Sequence, residues 1–168
     1  MQTIRKYIIL VEDLENELEL YHGGDEPIDI LDRRGPYRSV FASAEKNAAY
    51  SHGDIVTKFH VDSKKIADGW LDIEHGYEQT KRALESAMKE SGYNYPDSFN
   101  FEDIYDIVVY GESDKLKDFY DDVDLMIELQ ALRADVAHKL GYHAVTTRDE
   151  HGTSYQILKA NKISTSKQ

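Results

Sequence analysis

Leu20-Tyr21-His22-Gly23-Gly24 is the stretch of sequence that decides the fold. The residues Glu17–Tyr21 alternate polar and apolar side chains, which predicts a strand with one buried face. This strand would deliver His22 at its end and stop on two glycines. Because glycine has no Cβ, a flat ligand that carries an amide could approach the backbone beside the imidazole. The other interpretation is a strand that ends in a glycine turn and carries a histidine there.

A second unit follows after the turn Gly35-Pro36. Residues Tyr37–Ser43 predict another strand, and Ala44–Tyr50 predict a two-turn helix with Ser43 as its N-cap. The next strand is predicted at Asp54–Val61, where apolar residues alternate with polar ones.

The order of these motifs resembles an ADP-ribosyltransferase NAD pocket. Tyr21-His22-Gly23, then Phe41-Ala42-Ser43, then a short helix ending in Tyr50 is the order found in poly-ADP-ribose polymerases and diphtheria-toxin-like enzymes. The closing segment, Leu140–Val145 followed by Arg148–Leu158, is similar to the last hairpin of small phage-borne transferases, among them an ADP-ribosylating anti-CRISPR protein.

The resemblance implies a role for each residue of the pocket. Tyr21, His22 and Gly23 would bind NAD together. His22 would bind a ribose hydroxyl, and the backbone of Gly23 would hold the nicotinamide amide. Tyr50 and Phe41 would stack on the nicotinamide ring. Ser43 would contact the nicotinamide amide or else cap the helix. The resemblance also implies an α+β fold: a split antiparallel sheet enclosing the NAD cleft, with a helical insert.

Two positions depart from the family pattern. The catalytic glutamate of the family starts the final strand, where this chain has Ser154, and a tyrosine of the middle strand is replaced by Val40. Asp149 and Glu150, in the loop before that strand, are therefore the candidates for a catalytic carboxylate, which would face the oxocarbenium-like state of NAD cleavage. The other interpretations are a solvated hairpin tip and a weak or inactive enzyme.

Composition limits the classes of function. The chain has 168 residues, no cysteine and a formal net charge of −12. We expect one domain over residues 1–168, without disulfides, signal peptide or membrane span, in the cytoplasm (of the host if the protein is phage-encoded). The seven histidines show no metal-ligand spacing, so no metal is expected. A negative chain repels nucleic acid but can be steered towards a basic protein.

The middle of the chain predicts a helical insert over about residues 74–140. Ile73, Tyr77, Leu84, Ala87 and Met88 share one helical face that Gly92 ends. Asn100 is placed to cap a helix through Val108, and 121–140 predicts the longest helix, with 118–124 as its acidic N-terminus. We further predict a strand at Ile4–Val11, a hairpin of 142–147 with 153–160, and a frayed tail at 161–168.

The predicted function is mono-ADP-ribosylation of a basic host protein that handles nucleic acid or serves in defence. NAD is the donor, and no nucleic acid or membrane is bound directly. One alternative is a non-catalytic inhibitor whose acidic surface imitates nucleic acid in a basic groove. Another is a transferase that acts on RNA phosphates, which would require a basic cleft.

Overall fold

The structure is a computed structural model that describes residues 16–111, 114–149 and 152–167. The predicted strand at Ile4–Val11 lies outside these residues. Within them, strands come first and last and helices fill the middle, so the α+β prediction is confirmed. No helix in these ranges is long and apolar enough to cross a membrane.

The described residues form seven strands and four α-helices. The strands are β1 (Glu17–Gly24), β2 (Val40–Ser43), β3 (Ile55–Asp62), β4 (Ile66–Ala67), β5 (Ala144–Asp149), β6 (Gly152–Ile157) and β7 (Lys162–Lys167). The helices are α1 (Lys46–Tyr50), α2 (Gly76–Ser91), α3 (Phe101–Tyr105) and α4 (Val123–Lys139). A π-helical turn (Asp106–Tyr110) continues α3, and short 3-10 helices occupy Ser63–Lys65 and Asp114–Phe119.

The strands follow the order β4-β5-β6-β2-β1-β3-β7 and pair antiparallel, apart from the parallel pair β4–β5. Strand β1 pairs with β3 along its whole length but meets β2 only where Tyr21 lies opposite Ser43. The sheet is therefore split between β1 and β2 into two halves that this one bridge connects.

The two faces of the sheet bury different cores. Neighbouring residues of β5 point to opposite faces, so Val145 packs with the helices and Ala144 packs with the smaller cluster on the other face. The stripe predicted for the longest helix is buried in the larger core, at Leu125, Leu132 and Val136. Helices α2 to α4 thus cover one face of the sheet. The single domain expected over residues 1–168 stays a prediction.

Several local predictions need correction. Helix α1 begins at Lys46 with Glu45 as its N-cap, because the Oγ atom of Ser43 instead accepts the Glu45 backbone N–H at 3.0 Å. Ile73 precedes α2 and is exposed, so only the later residues of that stripe pack. Asp122 caps the longest helix, which begins at Val123, and the acidic stretch before it is partly a 3-10 helix.

The predicted frayed tail is wrong for residues 162–167, which form β7 on the outer edge of β3. Ile163 lies opposite Phe59 and packs against the smaller core. The pairing covers backbone groups that β3 would otherwise expose at the edge of the sheet.

Candidate functional site

A cavity of about 300 Å³ opens where the two halves of the sheet separate. Strand β1 contributes Tyr21, His22 and Gly23 to its wall, and β2 contributes Phe41 and Ser43. Five of the six residues predicted to bind NAD are therefore brought together around one space. Tyr50, the sixth, is not among the residues that line it, although Ala49 next to it is.

His22 is held in one orientation by the backbone of β2. Its Nδ1 atom lies 2.7 Å from the carbonyl oxygen of Phe41. A carbonyl oxygen can only accept a hydrogen bond, so Nδ1 carries the proton and donates it. In the neutral imidazole Nε2 is then a hydrogen-bond acceptor, and a ribose hydroxyl is a group that can donate to it.

Gly23 is required by packing inside the protein. A Cβ atom at this position would lie 1.7 Å from the carbonyl oxygen of Ala49 in α1. The lack of a side chain therefore lets α1 approach β1 and form the wall of the cavity. Close approach of a ligand, which the sequence suggested, is not needed to explain this glycine.

Tyr21 is tied to charged neighbours at the exposed side of β1. Its hydroxyl donates to Oε2 of Glu19 at 2.7 Å, and this hydrogen bond raises the pKa of the phenol. Lys58 binds Oε1 of Glu19 at 3.0 Å, and its Nζ lies 5.7 Å from the centre of the Tyr21 ring. The ring is thus fixed with one face towards a cation.

The aromatic rings near the cavity differ in their surroundings. Phe41 lines the cavity and is supported edge-on by Tyr37, at 5.1 Å between ring centroids. Tyr50 ends α1, and Lys46 of the same helix lies 5.5 Å from the centre of its ring.

The structure describes one of the two carboxylate candidates, at the end of β5. Asp149 is the last residue of β5, where its backbone pairs with that of Gly152. Gly152 has a φ of 114°, which a side chain would strain. Glu150 lies outside the described residues. Ser154, the position of the family's glutamate, is paired with Thr147 on one side and Ser43 on the other and lines the cavity.

Sequence reasoning missed part of the wall. Ala42, Ala48, Ala49, His52, Thr153 and Ser154 also line the cavity, and none of these was predicted to bind NAD. The small residues of α1 were visible in the sequence as Ala48-Ala49, and the two β6 residues follow from strand pairing. His52 carries no local signal, because it follows the helix in a turn.

Within the described ranges, no group of three or more His, Cys, Asp or Glu side chains could hold a metal ion. The Asp118–Asp124 run, which the structure describes in full, therefore contributes to no such group.

The comparisons with known proteins agree with this geometry. A family model described as Anti-CRISPR Type I-F ADP-ribosyltransferase AcrIF11 matches residues 18–166. A solved structure titled "Crystal structure of an anti-CRISPR protein" has a TM-score of 0.64 and 26% sequence identity, and the match covers 89% of this chain and 95% of that chain. The search of curated proteins found no significant match.

Proposed function

The chain belongs to the Anti-CRISPR Type I-F ADP-ribosyltransferase family, and we propose that the cavity between β1, β2 and α1 is where it binds NAD. As a member of that family it is an anti-CRISPR ADP-ribosyltransferase with NAD as its substrate. The acidic non-catalytic inhibitor is therefore not supported. The observation that carries the proposal is the bond from His22 Nδ1 to the Phe41 carbonyl oxygen, which leaves Nε2 as an acceptor at a cavity.

The cavity suits the nicotinamide riboside end of NAD. A volume of about 300 Å³ is at the lower end of the range for small-molecule pockets, so the adenosine diphosphate end extends outside. His22 Nε2 accepts a ribose hydroxyl, and the backbone of Gly23 pairs with the carboxamide. Phe41 and Tyr21 offer apolar faces to the ring, and Tyr50 adds its own from the end of α1.

A carboxylate at the hairpin turn completes the chemistry. The bond between ribose C1′ and the nicotinamide nitrogen breaks, and nicotinamide leaves with the electron pair as a neutral molecule. The acceptor supplies a lone pair to C1′ and loses a proton, which passes to Asp149 or Glu150 or to water. The same carboxylate stabilises positive charge on the ribose in the transition state.

The target we propose is a basic protein of a type I-F CRISPR complex, in the cytoplasm of the host. The family name indicates a type I-F CRISPR system, and the formal net charge of −12 indicates a preference for positively charged partners. An acidic enzyme is steered towards a positive surface. ADP-ribose would then bring its diphosphate into a groove built for nucleic acid and block it by repulsion and bulk, without direct binding of nucleic acid by the enzyme.

The test compares nicotinamide release and transfer in four proteins: wild type, His22→Ala, Asp149→Asn and Glu150→Gln. Loss of one hydrogen bond from His22 should weaken NAD binding by about 0.5–1.5 kcal/mol, measured by calorimetry. One of the two carboxylate variants should stay folded and lose about a hundredfold or more in rate. The change in NAD affinity of Tyr50→Ala measures how much the Tyr50 ring contributes to binding.

Two results would contradict this proposal. Unchanged NAD affinity in both His22→Ala and Tyr50→Ala would move the NAD site away from this cavity. Full transfer activity in both Asp149→Asn and Glu150→Gln would show that neither carboxylate is needed. For the target, purified type I-F complex incubated with labelled NAD should yield a modified residue at a basic groove, and a modification found only on acidic surfaces would exclude the charge argument.

A further inference from the structure

A second and larger cavity, of about 670 Å³, lies beside the first. It is bordered by β5, the middle of α4, the π-helical turn and the segment Asp68–Trp70. Thr153 of β6 lines both cavities, so the two spaces adjoin at that residue. Whatever occupies the larger cavity is therefore next to the proposed site of NAD.

The wall of the second cavity is mixed, with apolar side chains on the helical side and polar groups on the side of the sheet. Ile107, Met126 and Leu129 supply side chains from two helical segments. Thr147 and Thr153 supply hydroxyl groups from β5 and β6. Such a mixed surface suits part of a polypeptide, because an apolar side chain can pack on the helical side while the backbone forms hydrogen bonds with the polar side.

Arg133, a cationic residue in this wall, binds backbone carbonyl groups and stabilises the fold. Arg133 donates to the carbonyl oxygens of Val108 and Val109, at 2.5 and 3.1 Å, and to the carbonyl oxygen of Gly69. Those two valine carbonyls belong to the end of the π-helical turn, where carbonyl groups need outside partners. Because three of its five donors are used on backbone, Arg133 is poorly placed to bind a diphosphate.

The segment that Arg133 holds presents an exposed apolar and acidic surface. Trp70 is 54% exposed and contacts Tyr110 edge-on, and Ile73 is 69% exposed. Asp68 lines the cavity and Glu74 is exposed on the same segment. Exposed apolar side chains rimmed by charge mark surfaces that bind other proteins, and tryptophan is enriched among the residues that dominate such binding.

We propose that the second cavity is the acceptor subsite of the transferase and takes a segment of the target protein. An apolar side chain of that segment enters the cavity next to Trp70, and a basic residue beside it faces Asp68 and Glu74. This inference rests on the proposed function, because the acceptor group must reach ribose C1′ across the shared wall at Thr153. The charge of the segment agrees with that of the whole chain.

The experiment separates transfer to protein from hydrolysis of NAD by water. Trp70→Ala removes the aromatic contact, and Gln130→Trp fills the cavity from an exposed position of α4 that lines it. Tyr120→Ala is the control, since Tyr120 is also an exposed aromatic residue, at 60%, but does not line the cavity. Each variant is tested for melting temperature, for nicotinamide release without target, and for labelling of purified type I-F CRISPR complex.

Both cavity variants should lose about tenfold or more in labelling of the complex, while nicotinamide release stays within about twofold of wild type and Tyr120→Ala behaves as wild type. Labelling that is unchanged in both folded variants would overturn the inference. A parallel fall in nicotinamide release would also overturn it, because the cavity would then belong to the NAD site. A wild-type protein that releases no nicotinamide would overturn the proposed function and this inference with it.

Discussion

Gly23→Ala should destabilise the whole protein, because the space beside Gly23 is filled by α1. The added Cβ would lie 1.7 Å from the Ala49 carbonyl oxygen and 2.6 Å from its carbon, well below the 3.4 Å at which ordinary contact begins. Both neighbours are backbone atoms, so no side-chain rotation can relieve the overlap. Strand β1 and α1 must move apart, and the wall formed by Ala48 and Ala49 moves with them.

The loss of folding stability expected from Gly23→Ala can be bounded. Overpacking a well-packed site costs about 1–3 kcal/mol, and a backbone overlap belongs at the upper end of that range. For a chain of this size about 3 kcal/mol lowers the melting temperature by about 6–12 °C. The measurement is thermal unfolding followed by circular dichroism, together with calorimetry of NAD binding.

Two other glycines provide matched controls. A Cβ at Gly35 would meet no atom within 4 Å, so Gly35→Ala should leave both stability and NAD binding unchanged. A Cβ at Gly24 would lie 3.4 Å from His22 Nε2, which is ordinary contact. Gly24→Ala should therefore keep its stability within about 0.5 kcal/mol but weaken NAD binding, because it crowds the proposed acceptor nitrogen. A Gly23→Ala protein with wild-type melting temperature and lost NAD binding would refute the packing argument.

Three further predictions concern stability. Burial lowers the pKa of His143 below its ordinary value of 6.5, so the unfolded chain binds more protons as pH falls through 6.5 and the free energy of unfolding should decrease there; His143→Gln should reduce this slope in urea titrations at several pH values. Arg38→Ala should cost about 1–3 kcal/mol in urea unfolding, because the largely buried Glu128 and Asp135 each lose a cation, whereas Arg34→Ala, which breaks an exposed pair, should cost less than about 0.5 kcal/mol. Deletion of residues 162–168 should lower the melting temperature and promote aggregation in light scattering, because it exposes the edge of β3; an unchanged melting temperature would show that β7 adds nothing.

The parts of the fold that the sequence predicted are those that depend on local signals. Gly92 ends α2 with a φ of 64°, and Asn100 caps α3 through a reciprocal bond with Asp103. Both follow from the chemistry of residues within one turn of the helix end. The strand that carries His22 was predicted in the same way, from alternation that the structure reproduces at the buried Leu20. Its predicted end was wrong, because β1 continues through both glycines, which pair with β3.

The parts that it did not predict depend on distant partners. The polarity of residues 161–168 suggested a frayed end, yet β7 pairs with a strand about a hundred positions earlier. Strand β4 has two residues and exists because β5 lies beside it. Gly23 was noticed correctly but explained by a ligand, since its contact with Ala49 depends on how α1 folds back.

The proposed catalytic Asp149 and the proposed acceptor cavity can be placed relative to each other along the β5–β6 hairpin. In the register of the hairpin Thr147 lies opposite Ser154, and Asp149 lies two residues further towards the turn. With strands about 4.8 Å apart and a rise of about 3.4 Å per residue, the Cα of Asp149 is about 8 Å from that of Ser154. A catalytic carboxylate at Ser154 would lie on β6, which borders both cavities. A carboxylate at Asp149 lies instead on β5, which borders only the larger cavity. We therefore propose that an acid at the end of β5 acts on the acceptor, where a proton must be removed, more than on the nicotinamide end of NAD.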